Sequence, residues 1–112
     1  MKQKGSYDIE LYTRRDGMAP FSVWLAKLTK KNQARIISRL DRLEAGNFGD
    51  CKAVGAGVFE LRFFFGSGYR VYYGLEGATL VLLLTGGDKK TQSKDIRKAK
   101  QYWSDYKKEN IQ

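Results

Sequence analysis

The sequence predicts an α+β domain built in the order β-α-α-β-β-β-α, with an antiparallel-rich sheet. Three observations carry this. Apolar residues recur at helical spacing in Phe21–Leu28 and again in Ile36–Leu43. The run from Val58 to Thr85 alternates or is continuously apolar, with glycine turns inside it. Helical spacing then returns from Ile96 to Tyr106.

The elements follow in chain order. Tyr7–Tyr12 alternates weakly and reads as a first strand, and Arg14-Arg15-Asp16-Gly17 as a turn. Pro20 suits the first turn of a helix, where a missing N–H costs nothing. Phe21, Trp24, Leu25 and Leu28 then make one apolar stripe. A second helix is expected from Lys31 to Ala45, with Ile36, Leu40 and Leu43 inward, Lys31, Arg35, Arg39 and Arg42 on its other faces, and Gly46 as its stop. The short Thr-Lys link between the two predicts an antiparallel helical hairpin. Asn47–Gly57, rich in glycine and small residues, reads as a loop.

Val58–Phe65 and Tyr69–Leu75 are expected to form a hairpin about Gly66-Ser67-Gly68. A three-residue loop pairs Phe65 with Tyr69 and Leu61 with Tyr73, which collects the apolar side chains on one face. The other face then carries Glu60, Arg62, Phe64, Arg70 and Tyr72, with Arg62 opposite Tyr72. Thr79–Thr85 is unbroken in apolar content, as a central strand covered on both faces is. After Gly86-Gly87-Asp88-Lys89-Lys90, a last helix capped by Thr91 or Ser93 buries Ile96, Ala99, Trp103 and Tyr106, with Lys94, Arg97, Lys98 and Lys100 on its wet side.

The chain's 112 residues make a single domain over 1–112, large enough for one core without metals or disulfides. The longest apolar run is too short to span a bilayer, the N-terminal MKQKGSYDIELY lacks the apolar core of a secretory signal, and a lone cysteine fits a reducing compartment. Cytoplasm is the expected location. A formal charge of +9 and a pI near 9.7 point toward nucleic acid or another anionic partner. With no histidine and one cysteine, no metal site and no cofactor are expected, and Cys51 reads as inert.

Arg62 and Arg70 lead the candidate site residues. Two guanidiniums on adjacent strands repel unless an anion lies between them, and the arginine fork matches phosphate oxygens. The alternative is that Glu60 or the C-terminal acids neutralise them. Lys89 and Lys90, after a Gly-Gly turn, extend the cationic rim. Tyr72 offers a ring to stack a base or a hydroxyl to move a proton. Lys52, Gln92 and Lys94 are expected to touch RNA, Lys52 at the backbone and Gln92 at a base edge. For RNA cleavage these cations would stabilise the pentavalent phosphorus. Acid–base help would fall to Tyr72, Glu60 or a lysine, and the residue pattern does not choose among them.

The segments GVFELRFFFGSGYRVYYG and LLLTGGDKKTQSKDIRKA, with FSVWLAKL and NFGDCKAVGAGV before them, closely resemble the phage-derived, HigB-like branch of the RelE/ParE toxin superfamily. These are the addiction-module killer proteins of bacterial type II toxin–antitoxin systems. The resemblance covers nearly the whole chain and implies a RelE-like fold and ribosome-dependent mRNA cleavage in the A site. It implies that Arg70, the arginine of GYR, acts at the scissile phosphate, that Arg62 is the arginine of ELR, and that Lys89 and Lys90 form the cationic loop. The partner it implies is a helix-turn-helix antitoxin, through which alone the toxin reaches operator DNA. The superfamily also includes ParE-like inhibitors of DNA gyrase that cleave no RNA. A gyrase inhibitor, or an inactive nucleic-acid-binding remnant, is therefore the alternative expectation.

Overall fold

The computed structural model describes residues 6–110, so the reading of the first residues as free of a signal lies partly outside it. Five strands and three helices follow one another as β1 (Asp8–Leu11), α1 (Pro20–Ala26), α2 (Lys30–Glu44), β2 (Cys51–Gly55), β3 (Val58–Arg62), β4 (Arg70–Glu76), β5 (Leu80–Gly87) and α3 (Gln92–Glu109). A 3-10 turn, Lys89–Thr91, leads into α3. The single sheet runs β1-β5-β4-β3-β2, with β1 parallel to β5 and every other pair antiparallel. The mixed α+β class is as expected. Among the described residues no helix is long and apolar enough to cross a membrane.

The central strands are apolar on both sides because both sides are covered. On one face, Phe21 of α1 and Ile36, Leu40 and Leu43 of α2 pack with Leu61, Val71, Tyr73, Val81 and Leu83. On the other, Ala99 and Trp103 of α3 pack with Val58, Tyr72, Leu82 and Leu84. The helical stripes read from spacing are the buried ones. Thr29 caps α2 by accepting the Asn32 N–H at 3.2 Å. α1 lies against β5, and α1 and α2, joined by the short 27–29 link, bury side chains in the same core cluster.

Two expectations about the strands are corrected. The first concerns Asn47–Gly57, expected as a loop, which contains β2. Its residues are mostly exposed and small, so no alternating apolar pattern marked it; the ladder to β3, with a bulge near Gly55, makes it a strand. The second concerns the β3–β4 hairpin, whose register differs by two residues from the one a three-residue loop would give. Leu61 pairs with Val71, Glu60 with Tyr72, and Arg62 with Arg70 rather than with Tyr72. The Phe63 N–H donates to the Tyr69 carbonyl, and the Gly68 N–H closes a turn onto Phe65. The loop is longer because Phe63, Phe65 and Tyr69 stack edge-on against one another and into the core. A shift of two keeps Glu60, Arg62, Arg70 and Tyr72 on the expected face while the pairing changes, whereas Phe64 lies beyond β3 and borders a groove with Phe63, Phe65 and α2 instead of sharing that face.

The face expected to be wet is the one α3 covers. Gly74 lets it do so, since a side-chain carbon there would run into the Trp103 ring. Gly74→Ala is expected to destabilise the fold by about 1–3 kcal/mol, the usual result of overpacking. Urea unfolding followed by tryptophan fluorescence checks this, and an unchanged midpoint would contradict the close seating of α3.

Candidate nucleic-acid interface

Two rows of side chains cross the sheet beneath the start of α3. Lys52, Glu60, Tyr72 and Thr85 stand opposite one another on β2, β3, β4 and β5, and Arg62, Arg70 and Gly87 form the next row toward the end of the sheet. Paired residues share a face, so this ladder alone gathers a lysine, a glutamate, a tyrosine and two arginines.

Glu60 is the centre of the group. It is fully buried. Its Oε2 accepts from the Tyr72 hydroxyl at 3.0 Å and from the Gln92 amide at 2.8 Å, while Arg70 Nε lies 4.0 Å away. Its Oε1 has no hydrogen-bond partner, and neither Nε of the two arginines makes a well-directed hydrogen bond. A buried carboxylate needs donors and a countercharge, and these three side chains supply them. Arg62 in turn lies 3.4 Å from Asp50 and keeps about a third of its side chain exposed, whereas Arg70 keeps 12%. Acids therefore accompany both arginines: Glu60, which the alternative reading named, lies beside Arg70, and Asp50, which it did not, beside Arg62. The two arginines stand opposite each other where β3 ends and β4 begins.

Tyr72 has no exposed surface, so it cannot stack a base as expected. Burial first, and then the adjacent Glu60 carboxylate, push its phenol far above the ordinary value of 10.0. It is held as a donor to Glu60 and positions the carboxylate.

The rim is fixed from two sides. Thr91 holds the N-cap position of α3, as expected, but its side chain makes no capping hydrogen bond there; Asp88 caps the 3-10 turn before it by accepting the Lys90 and Thr91 N–H groups, and it also accepts from the Ser67 hydroxyl at 3.1 Å. The Lys89 N–H reaches the Ser67 carbonyl, which seats the lysine turn on the β3–β4 loop. Lys89 and Lys90 are exposed there. On the other side Arg39 donates to the carbonyls of Arg62, Phe48 and Asp50, at 2.9, 3.3 and 3.2 Å. Burial, followed by the charge of Arg42, lowers its guanidinium from the ordinary 12.5.

The structure thus brings together Arg62, Arg70, Tyr72 and Gln92 around Glu60, with Lys52 at the exposed flank of the same row. Lys89 and Lys90 stand at the neighbouring rim. Lys94 goes elsewhere: it lines a groove between α1 and α3 with Lys27 and Lys98, two residues and about half a helical turn from Gln92. Arg39 was placed on an outer face, although its spacing from Ile36 and Leu43 puts it on the buried stripe. Among the described residues no three His, Cys, Asp or Glu side chains gather where they would hold a metal ion.

Fold and site together define a small basic domain with a cation pair organised by a buried acid. The chain belongs to the phage-derived Gp49-like protein family (DUF891), whose model matches residues 23–104. It is also similar to an uncharacterised protein of Haemophilus influenzae, 53% identical over 81 residues, which are 71% of this chain and 82% of the relative.

Tyr12, Tyr73 and Tyr106 share the upward shift of Tyr72, chiefly through burial, Tyr106 to about 12. Unfolded phenols ionise near 10.0 while these keep their protons, so above that pH the unfolded state binds fewer protons. Stability is therefore expected to fall as pH rises from about 10, the fully buried Tyr72 and Tyr73 each contributing up to about 1.4 kcal/mol per pH unit and the less buried phenols less. Urea unfolding at stepped alkaline pH should show a shallower decline for Tyr72→Phe, and an identical slope would contradict the buried phenol.

Proposed function

We propose that this chain is the toxin of a type II toxin–antitoxin pair, an endoribonuclease that cuts mRNA in the ribosomal A site and halts translation. The observation that supports it most is the direct opposition of Arg62 and Arg70 at one sheet end. A phosphodiester between two guanidiniums relieves their repulsion and receives forked hydrogen bonds. Attack of the 2′-oxygen on phosphorus, with loss of its proton, loads negative charge on the non-bridging oxygens before the bond to the 5′-oxygen breaks, leaving a 2′,3′-cyclic phosphate and a protonated 5′-hydroxyl, and cations already in place stabilise that charge most. Membership in a phage-derived family and the resemblance in its sequence support the same reading.

Glu60 has no exposed surface, so its part is to hold Arg70 and Gln92 rather than to take the 2′-hydroxyl proton itself. The exposed Lys89 and Lys90, together with the ribosome that orients the message, supply what the buried set lacks. No metal or cofactor enters this scheme. The proposed partner is a helix-turn-helix antitoxin that covers the basic sheet end or holds α3 away from it, and that carries the toxin to operator DNA. A gyrase inhibitor without chemistry would have no use for paired guanidiniums over a buried carboxylate.

Primer extension on a message in a reconstituted translation reaction tests this. New 5′ ends at A-site codons are expected only with ribosomes present. Arg70→Ala is expected to lower cleavage at least a hundredfold, the usual loss when one charge-stabilising donor is removed, and to lose stability because Glu60 is left without its countercharge, so the comparison is made on protein that circular dichroism shows to be folded. Intact message with wild-type protein, or full cleavage by a folded Arg70→Ala, would overturn the proposal.

A further inference from the structure

Phe64, in the β3–β4 loop, is 83% exposed, more than any other large hydrophobic side chain described. An isolated exposed ring is ordinary on a protein surface, but this one has organised neighbours. It borders a groove with Arg35, Arg39 and Arg42 of α2 and the rings of Phe63 and Phe65, and no carboxylate lines it. The Arg35 guanidinium lies 3.9 Å from the centre of the Phe65 ring. Arg39 is committed to three backbone carbonyls. Arg35 and Arg42 are exposed, and among the described residues neither belongs to an ion pair. The groove adjoins the end of β3, where Arg39 in its wall donates to the main-chain carbonyl of Arg62, while the Arg62 and Arg70 side chains belong to the other face of the sheet.

We propose that this groove is a second binding site, for the single-stranded RNA that flanks the phosphate held at Arg62 and Arg70. A base stacks on Phe64, and neighbouring phosphates meet Arg35 and Arg42. The inference rests on the nuclease reading and extends it past the scissile link. An open aromatic face beside unpaired cations matches what a single strand offers, a π-face on every base and an anion on every link. An acidic protein segment would answer the guanidiniums as well. The groove begins at Phe63, the residue after Arg62, so a strand held at the sheet end by Arg62 and Arg70 has only to pass around that end to reach it, which favours RNA.

The test uses the full-length protein and a short 2′-O-methylated single-stranded RNA, which binds but lacks the attacking hydroxyl, with fluorescence anisotropy as the readout. Phe64→Ala is expected to weaken binding about tenfold, as loss of one base stack does, and Phe64→Trp to restore it. Arg35→Gln and Arg42→Gln should each reduce the dependence of log K on log salt by about 0.7. Unchanged affinity in Phe64→Ala, with unchanged salt dependence in both arginine variants, would overturn the groove. If such a Phe64→Ala still cut message on ribosomes as the wild type does, the nuclease reading would stand without it. If the wild type cut nothing but bound RNA in a Phe64-dependent way, the groove would stand and the nuclease reading would fall. If Phe64→Ala kept its RNA affinity and lost a bound acidic partner protein instead, the groove would belong to that partner and the proposal would fail.

Discussion

The burial of one carboxylate governs this structure. Glu60 lies in the middle of a sheet covered on both faces, where an unpaired charge is too unfavourable to persist. Its two donors come from different elements, Tyr72 from β4 and Gln92 from the first residue of α3, and its countercharge is Arg70 at the start of β4. Satisfying that one group fixes where α3 begins, how it crosses the sheet, and where the Arg70 side chain is held. A glutamate in this place is thus structural and functional together. It ties the covering helix down and sets a guanidinium at the sheet end.

The backbone around this centre does the remaining positioning. The ladder puts Arg62 opposite Arg70 without help from either side chain, and Gly87 completes the row where Asp95 of α3 comes too close for any larger residue. Asp88 and Ser67 join the lysine turn to the β3–β4 loop, and Arg39 joins the 48–50 segment to the end of β3. The two arginines therefore sit on rigid strands while the lysines sit on a capped turn. Fixed charges of this kind need little reorganisation when a phosphate arrives.

Much of this was legible in the sequence where a repeating pattern existed. Helical spacing located the buried stripes of α2 and α3, and alternation assigned Glu60, Arg62, Arg70 and Tyr72 to one face. What failed lacked a pattern. β2 is an exposed edge strand of small residues, held by its ladder rather than by apolar burial. The hairpin register turned on whether Phe63, Phe65 and Tyr69 would pack into the core or extend the strands, a tertiary choice that glycine positions alone do not decide. The covered face went unrecognised because alternation shows that two faces differ, not that a helix crosses the polar one. Charged residues there suggested solvent, when they belong to a buried network around Glu60. Arg39 was misplaced for a similar reason: its charge outweighed a spacing that put it among buried residues.

The claim that Glu60 organises Arg70 is tested most directly by a double-mutant cycle on single-turnover cleavage of ribosome-bound message, with Glu60→Gln, Arg70→Ala and the double variant. If Glu60 acts through Arg70, Glu60→Gln lowers the rate in the presence of Arg70 and has little further effect once Arg70 is gone, giving a coupling energy of at least about 1 kcal/mol. Full activity in Glu60→Gln, or losses that simply add, would contradict it.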